Sequence, residues 1–194
     1  ATYHLGSKAL TAVIATDTDW NTSRFVIDDT EVEDHRKSLF EVRSLLRPEK
    51  LKIDRLHRDQ KQLDVRLGRE CYVSVTNNKM KRYIRRGLNQ NSGTSQRDCF
   101  ILHRDGSIEG NIDWDCDNIS RVAAHPIDEK RLFLRGGVFT TTANRMKQEV
   151  GYNYWYRNIV ISRSNTEVDG LTHHVVGETS VGHPYSGFVS VSSC

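Results

Sequence analysis

The feature that most constrains this chain is the way its apolar residues recur. They come in short alternating runs and never in the sustained i, i+3, i+4 spacing of a long amphipathic helix. TAVIAT, RFVIDD, LFEVRS, QLDVRL, CYVSV, RLFLRGGVFTT, NIVISRS and GFVSVSS are such runs, rich in β-branched residues and bounded by Gly, Asn, Asp or Pro. Period-two alternation between turn residues is the pattern of a strand with one buried face. In CFILHRDGSIEG the pair Asp105-Gly106 separates two apolar runs, which predicts a tight hairpin turn because Gly adopts the positive φ such turns need. Helix formers gather in two places. NRMKQEV (Asn144 to Val150) is about two turns long, and SLLRPEKLKIDRLHRDQKQL is interrupted by Pro48. Within the latter, EKLKIDRLHRDQKQLDV is expected to form two strands with a charged connection.

The closing third of the chain repeats itself. Ile159-Val160-Ile161-Ser162-Arg163-Ser164 and Val189-Ser190-Val191-Ser192-Ser193-Cys194 share one pattern of apolar, any, apolar, polar, any, small, at an offset of 30 residues. Leu132-Phe133-Leu134 lies 27 residues before Ile159 and begins the same way. Alternation returning at such an interval is what a solenoid produces, with equivalent side chains of successive coils about 4.8 Å apart. The expected stacks are Leu132, Ile159 and Val189, with Leu134, Ile161 and Val191 beside them. Val168, Leu171, Val175 and Val176 would form a second face around a turn at Asp169-Gly170.

LFLRGGVFTT, RNIVISRSN and GFVSVSSC resemble consecutive rungs of the right-handed parallel β-helix, the pectin-lyase-like fold. The resemblance covers roughly Pro126 to Cys194, and it implies an all-β chain in two parts. Residues 1–125 would be an irregular N-terminal capping region with early rungs, and residues 126–194 the regular rungs, continuing beyond the chain end. It also implies carbohydrate: a polysaccharide lyase or glycoside hydrolase working in an external groove, or else a non-catalytic, tailspike-like surface protein that binds glycan. An extracellular or cell-surface location goes with either. The fold family has no short motif common to all members, so no residue role is transferred from it.

Candidate site residues come from clusters that suit such chemistry. Lyase action needs a base beside a uronate carboxylate and a cation to hold the developing negative charge. His173 or His174 would serve as base or acid, and they point to opposite faces of a strand, so only one can share a groove with Asp169. Arg163 or Arg157 would hold the negative charge. Tyr154 and Tyr156 in GYNYWYRN lie on one side of an alternating run and could stack on sugar rings, with Arg157 pairing a uronate or sulfate. His183, in a Gly-flanked loop, and Tyr185 complete the substrate-binding set.

Other classes find less support. The net charge of +3 is small, and the basic run KMKRYIRRG (Lys79, Lys81, Arg82, Arg85, Arg86) suits a charged outer strand face as well as a polyanion. Nucleic acid is therefore not the expected partner. No apolar run approaches a membrane span. Asp113, Asp115 and Asp117 in DWDCDN suggest calcium, yet Asn118 and Ala124 stand where an EF-hand requires Gly and Glu. No cofactor is expected, calcium in a looser site being the one metal left open. The four cysteines, Cys71, Cys99, Cys116 and Cys194, show no C-x-x-C pairing and read as buried free thiols. The pattern names no oligomeric state.

Overall fold

In the computed structural model the described residues are 1–84, 92–143, 155–178 and 184–192. Among them the chain forms strands and no helix. In order these are β1 (Thr2–Leu5), β2 (Ala12–Ile14), β3 (Thr18–Asp19), β4 (Arg24–Asp28), β5 (Phe40–Arg43), β6 (Cys71–Tyr83), β7 (Thr94–Leu102), β8 (Ile108–Glu109), β9 (Arg121–Pro126), β10 (Leu132–Arg135), β11 (Val138–Thr142), β12 (Ile159–Ser162), β13 (Thr166–Asp169), β14 (Thr172–Val176) and β15 (Val189–Val191). The helix-forming stretch Asn144 to Val150 lies outside the described residues.

The chain divides into two compact units. One joins Ala1–Leu45 to Asp128–Cys194, and the other is Leu46–Ile127. This differs from the expected boundary at 125/126. Residues 1–45 pair within the same sheets as the C-terminal strands, whereas 46–127 form a separate antiparallel body.

In the first unit the strands visit three sheets in a fixed cycle. The first sheet is β1-β4-β11-β14, the second β2-β5-β12-β15 and the third β3-β10-β13, and every pairing is parallel. Parallel neighbours cannot be joined by a tight turn. Here each strand reaches its neighbour by way of the other two sheets. The architecture is all-β with parallel sheets and is compatible with a β-solenoid. Its core runs along the inward rows: Phe25, Ile27 and Phe139 from the first sheet, Ile14, Val42, Ile159 and Ile161 from the second, Leu132 and Leu134 from the third.

The expected stacks are half right. Ile159 pairs with Val189 and Ile161 with Val191, and Phe40 and Val42 extend the same rows. Leu132 and Leu134 instead belong to the third sheet, beside Thr166 and Val168. An inward apolar-x-apolar pattern looks the same on every sheet, so the 27-residue echo joined two faces of one coil. The turn at Asp169-Gly170 does lead from the third sheet to the first, with Val168, Leu171 and Val175 half-buried; Val176 points outward.

That turn recurs. Asn21 (φ 50°), Gly136 (φ 68°) and Gly170 (φ 65°) each occupy the passage from third sheet to first in successive coils, all in the left-handed region. Gly136 N donates to Asp169 O, and Trp20 N donates to Arg135 O. A Cβ added at Gly136 would lie 2.5 Å from the Asn21 carbonyl oxygen, so glycine is required there by space as well as by φ.

The second unit is one antiparallel sheet in the order β8-β7-β6-β9. Val73, Val75, Phe100, Leu102 and Ala124 face its core. The expected hairpin is present: Gly106 has φ 87°, and Ser107 N donates to Asp105 Oδ1. The two strands expected in EKLKIDRLHRDQKQLDV are not formed. That stretch makes only single bridges, Glu49 to Ala124, Leu56 to Cys116 and Gln62 to Ser107, while Ile53, Leu56 and Leu63 drop singly into the core. Charged residues separate these anchors too widely for a continuous buried row. Cys71 and Cys116 are buried free thiols as expected, but Cys99 is exposed on the outer face of β7; Cys194 lies outside the described residues.

Candidate functional site

β14 places the two histidines on opposite faces of the first sheet. His173 is half-buried and His174 exposed. The inward row reads Tyr3, Phe25, Phe139, His173 across β1, β4, β11 and β14. Its rings are stacked: Tyr3 on Phe25 at 5.2 Å and Phe25 on Phe139 at 4.6 Å, with interplanar angles of 20° and 9°. Phe188 joins this column 5.0 Å from Phe139, and the His173 ring lies on Phe188 at 3.9 Å, only 6° from parallel. His173 Nε2 is 2.9 Å from Oγ1 of the fully buried Thr141. The imidazole therefore ends an internal aromatic ladder, with the Thr141 hydroxyl at Nε2 and the Phe188 ring on its face. His174 faces outward beside Thr140, in a row that continues through Val26 to His4.

The arginines are also turned inward. Arg157, at the passage from first sheet to second, is 1 % exposed. Its Nε donates to Asp29 Oδ1 at 2.9 Å and its Nη2 to the Gly6 carbonyl at 3.0 Å. The guanidinium is thus engaged by Asp29 and Gly6, and the residue also lines a cavity with His4, Lys8 and Phe40. Arg163, at the passage from second sheet to third, is 9 % exposed. Its Nη1 donates to the carbonyls of Ser164 and Asn165, its Nη2 donates to that of Lys130, and its Nε lies 3.4 Å from Asp128 Oδ1. Asp128 in turn accepts from Ser44 and Ser164. Arg163 thus clamps two consecutive coils at a corner, on a different sheet junction from Arg157.

Tyr156 is half-buried, its N–H donating to the His35 carbonyl. Tyr185 is 41 % exposed, anchored by its N–H to the Trp155 carbonyl. Tyr154 and His183 lie outside the described residues. The expected set is therefore not gathered into one groove among the described residues.

The three aspartates of DWDCDN also go separate ways. Asp115 accepts from Arg58 N, Asp117 pairs with Arg55 at 3.0 Å, and Asp113 N donates to Asp98. Among the described residues no three His, Cys, Asp or Glu side chains are grouped to hold a metal ion. Of the basic run, Lys81 donates to Ser95, and the Arg82 guanidinium lies 4.1 Å over the ring of Trp114, itself 43 % exposed. Arg85 and Arg86 lie outside the described residues. No helix of the described residues is long and apolar enough to cross a membrane.

Two polar groupings escaped the sequence reading. In the second unit His103 Nδ1 is 2.7 Å from Glu70 and its Nε2 3.3 Å from Glu109. The hydrogen bond to Glu70, aided by the charges of both carboxylates and Asp105, raises the imidazole above its ordinary pKa. The DG turn between two apolar runs was the available signal, since it sets His103 and Glu109 close across the hairpin. In the first unit Lys130 and Arg131 stand beside Arg163 around one cavity. The adjacent EKR run before β10 was visible but carried no spacing to link it with Arg163. Searches of protein-family models and of curated proteins match nothing to this chain.

Proposed function

We propose that the chain is the coil of a right-handed parallel β-helix that recognises glycan without cleaving it, in an extracellular or surface protein. One observation carries this reading: three of the side chains expected to do chemistry, His173, Arg157 and Arg163, are engaged in contacts within the fold. His173 ends the aromatic ladder, Arg157 neutralises buried Asp29, and Arg163 holds corner carbonyls. An enzyme of the lyase type needs base and cation converging on one substrate position. A scaffold needs rigid coils and exposed aromatic faces, and Tyr185 and Trp114 supply exposed rings on the first and second unit respectively.

The test pairs binding with turnover. Affinity electrophoresis against a panel of polysaccharides is expected to show retardation. The same polymers are expected to yield neither unsaturated uronate ends, read by ultraviolet absorbance, nor new reducing ends. The competing catalytic reading rests on His174, which keeps an exposed imidazole. Product formation abolished by His174→Ala would replace the scaffold reading with the catalytic one.

A further inference from the structure

We propose that the outward face of the second unit's antiparallel sheet binds single-stranded nucleic acid, with its cations on the phosphates and an aromatic side chain against a base. The small net charge of the whole chain hides an uneven distribution. The first unit carries 12 Lys and Arg against 14 Asp and Glu, whereas residues 46–127 carry 16 against 11. A body with that excess attracts polyanions, and the register of its strands decides where.

Val73, Val75, Phe100 and Ala124 fill the core side of the sheet, so the alternate residues of β6, β7 and β9 face outward. One outward row reads Arg97, Thr76, Arg121 across the three strands, the next Cys99, Ser74, Ala123, and the third Ile101, Tyr72, His125. Lys81 adds a cation beyond Arg97, since it pairs with Ser95 and its Nζ donates to Ser95 Oγ at 3.2 Å. Lys81, Arg97, Arg121 and His125 are all exposed. Unlike the corner arginines of the first unit, Lys81, Arg97 and Arg121 have no carboxylate partner among the described residues. Asp98, beside Arg97 in sequence, is buried on the core side. Glu70 and Glu109 lie toward the other end of the outward face, where His103 holds them at 2.7 Å and 3.3 Å. The basic end is thus unopposed.

Small residues floor the space between the cations and Tyr72: Ser74, Ala123 and Cys99. Arg97 and Arg121 stand two strand spacings apart, roughly 10 Å, which makes an open track rather than a pocket. Tyr72 is half-buried, and its hydroxyl is hydrogen-bonded to Cys99, diagonally placed on β7. Its ring therefore leans along the sheet, with His125 beside it on β9. Unpaired bases stack on such aromatic side chains above a basic surface with little regard to sequence, whereas a duplex keeps its base faces to itself.

The experiment is fluorescence anisotropy of the whole chain with short oligo-dT and oligo-rU, whose two arms separate DNA from RNA, and with a duplex and polyglutamate as controls. Single strands are expected to bind about tenfold or more tighter than either control. Their affinity should fall with salt at a log–log slope of about −2, for three phosphates neutralised. Arg97→Gln with Arg121→Gln is expected to flatten that slope by about 1.4 and to weaken binding about tenfold or more. Lys52→Gln with Arg55→Gln removes two charges elsewhere in the same unit and is expected to change affinity by less than about twofold. Tyr72→Leu should weaken binding about fivefold or more. Melting temperatures check that each variant is folded. Cys99 supplies a readout without mutation, because bound oligonucleotide should slow its labelling by iodoacetamide, read by peptide mass spectrometry. Equal binding of polyglutamate or duplex, equal losses from the two double variants, or an unaffected Tyr72→Leu variant overturns the proposal. So does Cys99 labelling unchanged at saturating oligonucleotide, or no binding at all. The glycan-recognising reading stands or falls on its own polysaccharide assay.

Discussion

Replacing Asp29 by Asn isolates what Arg157 does. The pair is 2.9 Å apart with side-chain exposures of 1 % and 0 %, so water screens neither charge. Among the described residues Arg157 Nη1 has no hydrogen-bond partner, so the guanidinium leans on that carboxylate and on the Gly6 carbonyl. Removing the carboxylate leaves a cation enclosed by protein, a change that costs about 3–5 kcal/mol. That is a large part of the roughly 5–15 kcal/mol that holds an ordinary domain together. Arg157→Met takes the guanidinium away from a buried carboxylate and is expected to cost a similar amount. The double variant Asp29→Leu/Arg157→Met leaves no buried charge and is expected to recover most of the loss, since apolar replacements of buried pairs are often neutral or stabilising by about 1–4 kcal/mol. Urea unfolding read by tryptophan fluorescence in a Trp114→Phe background reports the first unit, where Trp20 and Trp155 lie. A single-variant cost below about 1 kcal/mol, or single costs that simply add in the double variant, would refute the argument. The double variant should also bind glycan as the parent does. A loss of binding in a stably folded double variant would return Arg157 to the ligand.

Three further outcomes are expected. Gly136→Ala should destabilise the first unit by about 2 kcal/mol or more, and Gly170→Ala by about 1 kcal/mol, because both need positive φ but only Gly136 faces a backbone oxygen at 2.5 Å; equal shifts in melting temperature would contradict this. The raised pKa of His103 means the folded state binds its proton more tightly, so the stability it contributes is complete below about pH 6.5 and is lost as pH rises through the folded-state value. An NMR titration of the imidazole should show a midpoint above about 6.5 that falls in Glu70→Gln, and a midpoint unmoved by that change would discount the hydrogen bond. Burial pushes the Cys71 thiol up to about 11, so iodoacetamide near neutral pH should modify exposed Cys99 well before Cys71, as read by peptide mass spectrometry; comparable rates would show that the core of the second unit opens readily.

The alternation in NIVISRS and GFVSVSS was enough to anticipate that Ile159 and Val189 are neighbours on parallel strands, since a period of two sets the inward face and a coil-length offset sets the partner. The same signal misled at Leu132, because hydrophobic period carries no label for which of several sheets a strand enters. Phe40, the true partner of Ile159 on its other side, was hidden by the long stretch that separates them in sequence. At the site, alternation correctly divided His173 from His174, but it could not show that Phe188, which leads into β15 of the same coil, would lie flat on His173. The roles of Arg157 and Arg163 were illegible for a related reason. An arginine's type suits ligand and interior equally, and only the folded chain brings Asp29 or the Lys130 carbonyl to it.

The splitting of the first unit around residues 46–127 bears on how the polypeptide is made. β4 meets β1 soon after both leave the ribosome, but its other neighbour, β11, begins only at Val138. Residues 29–137 intervene, roughly 110 residues, on the order of 5–20 seconds of translation at about 5–20 residues per second. During that interval the antiparallel body can close on its own apolar cluster, while the early strands wait with one flank unsatisfied. Nascent-chain proteolysis at increasing lengths should accordingly find the middle of the chain protected before its beginning.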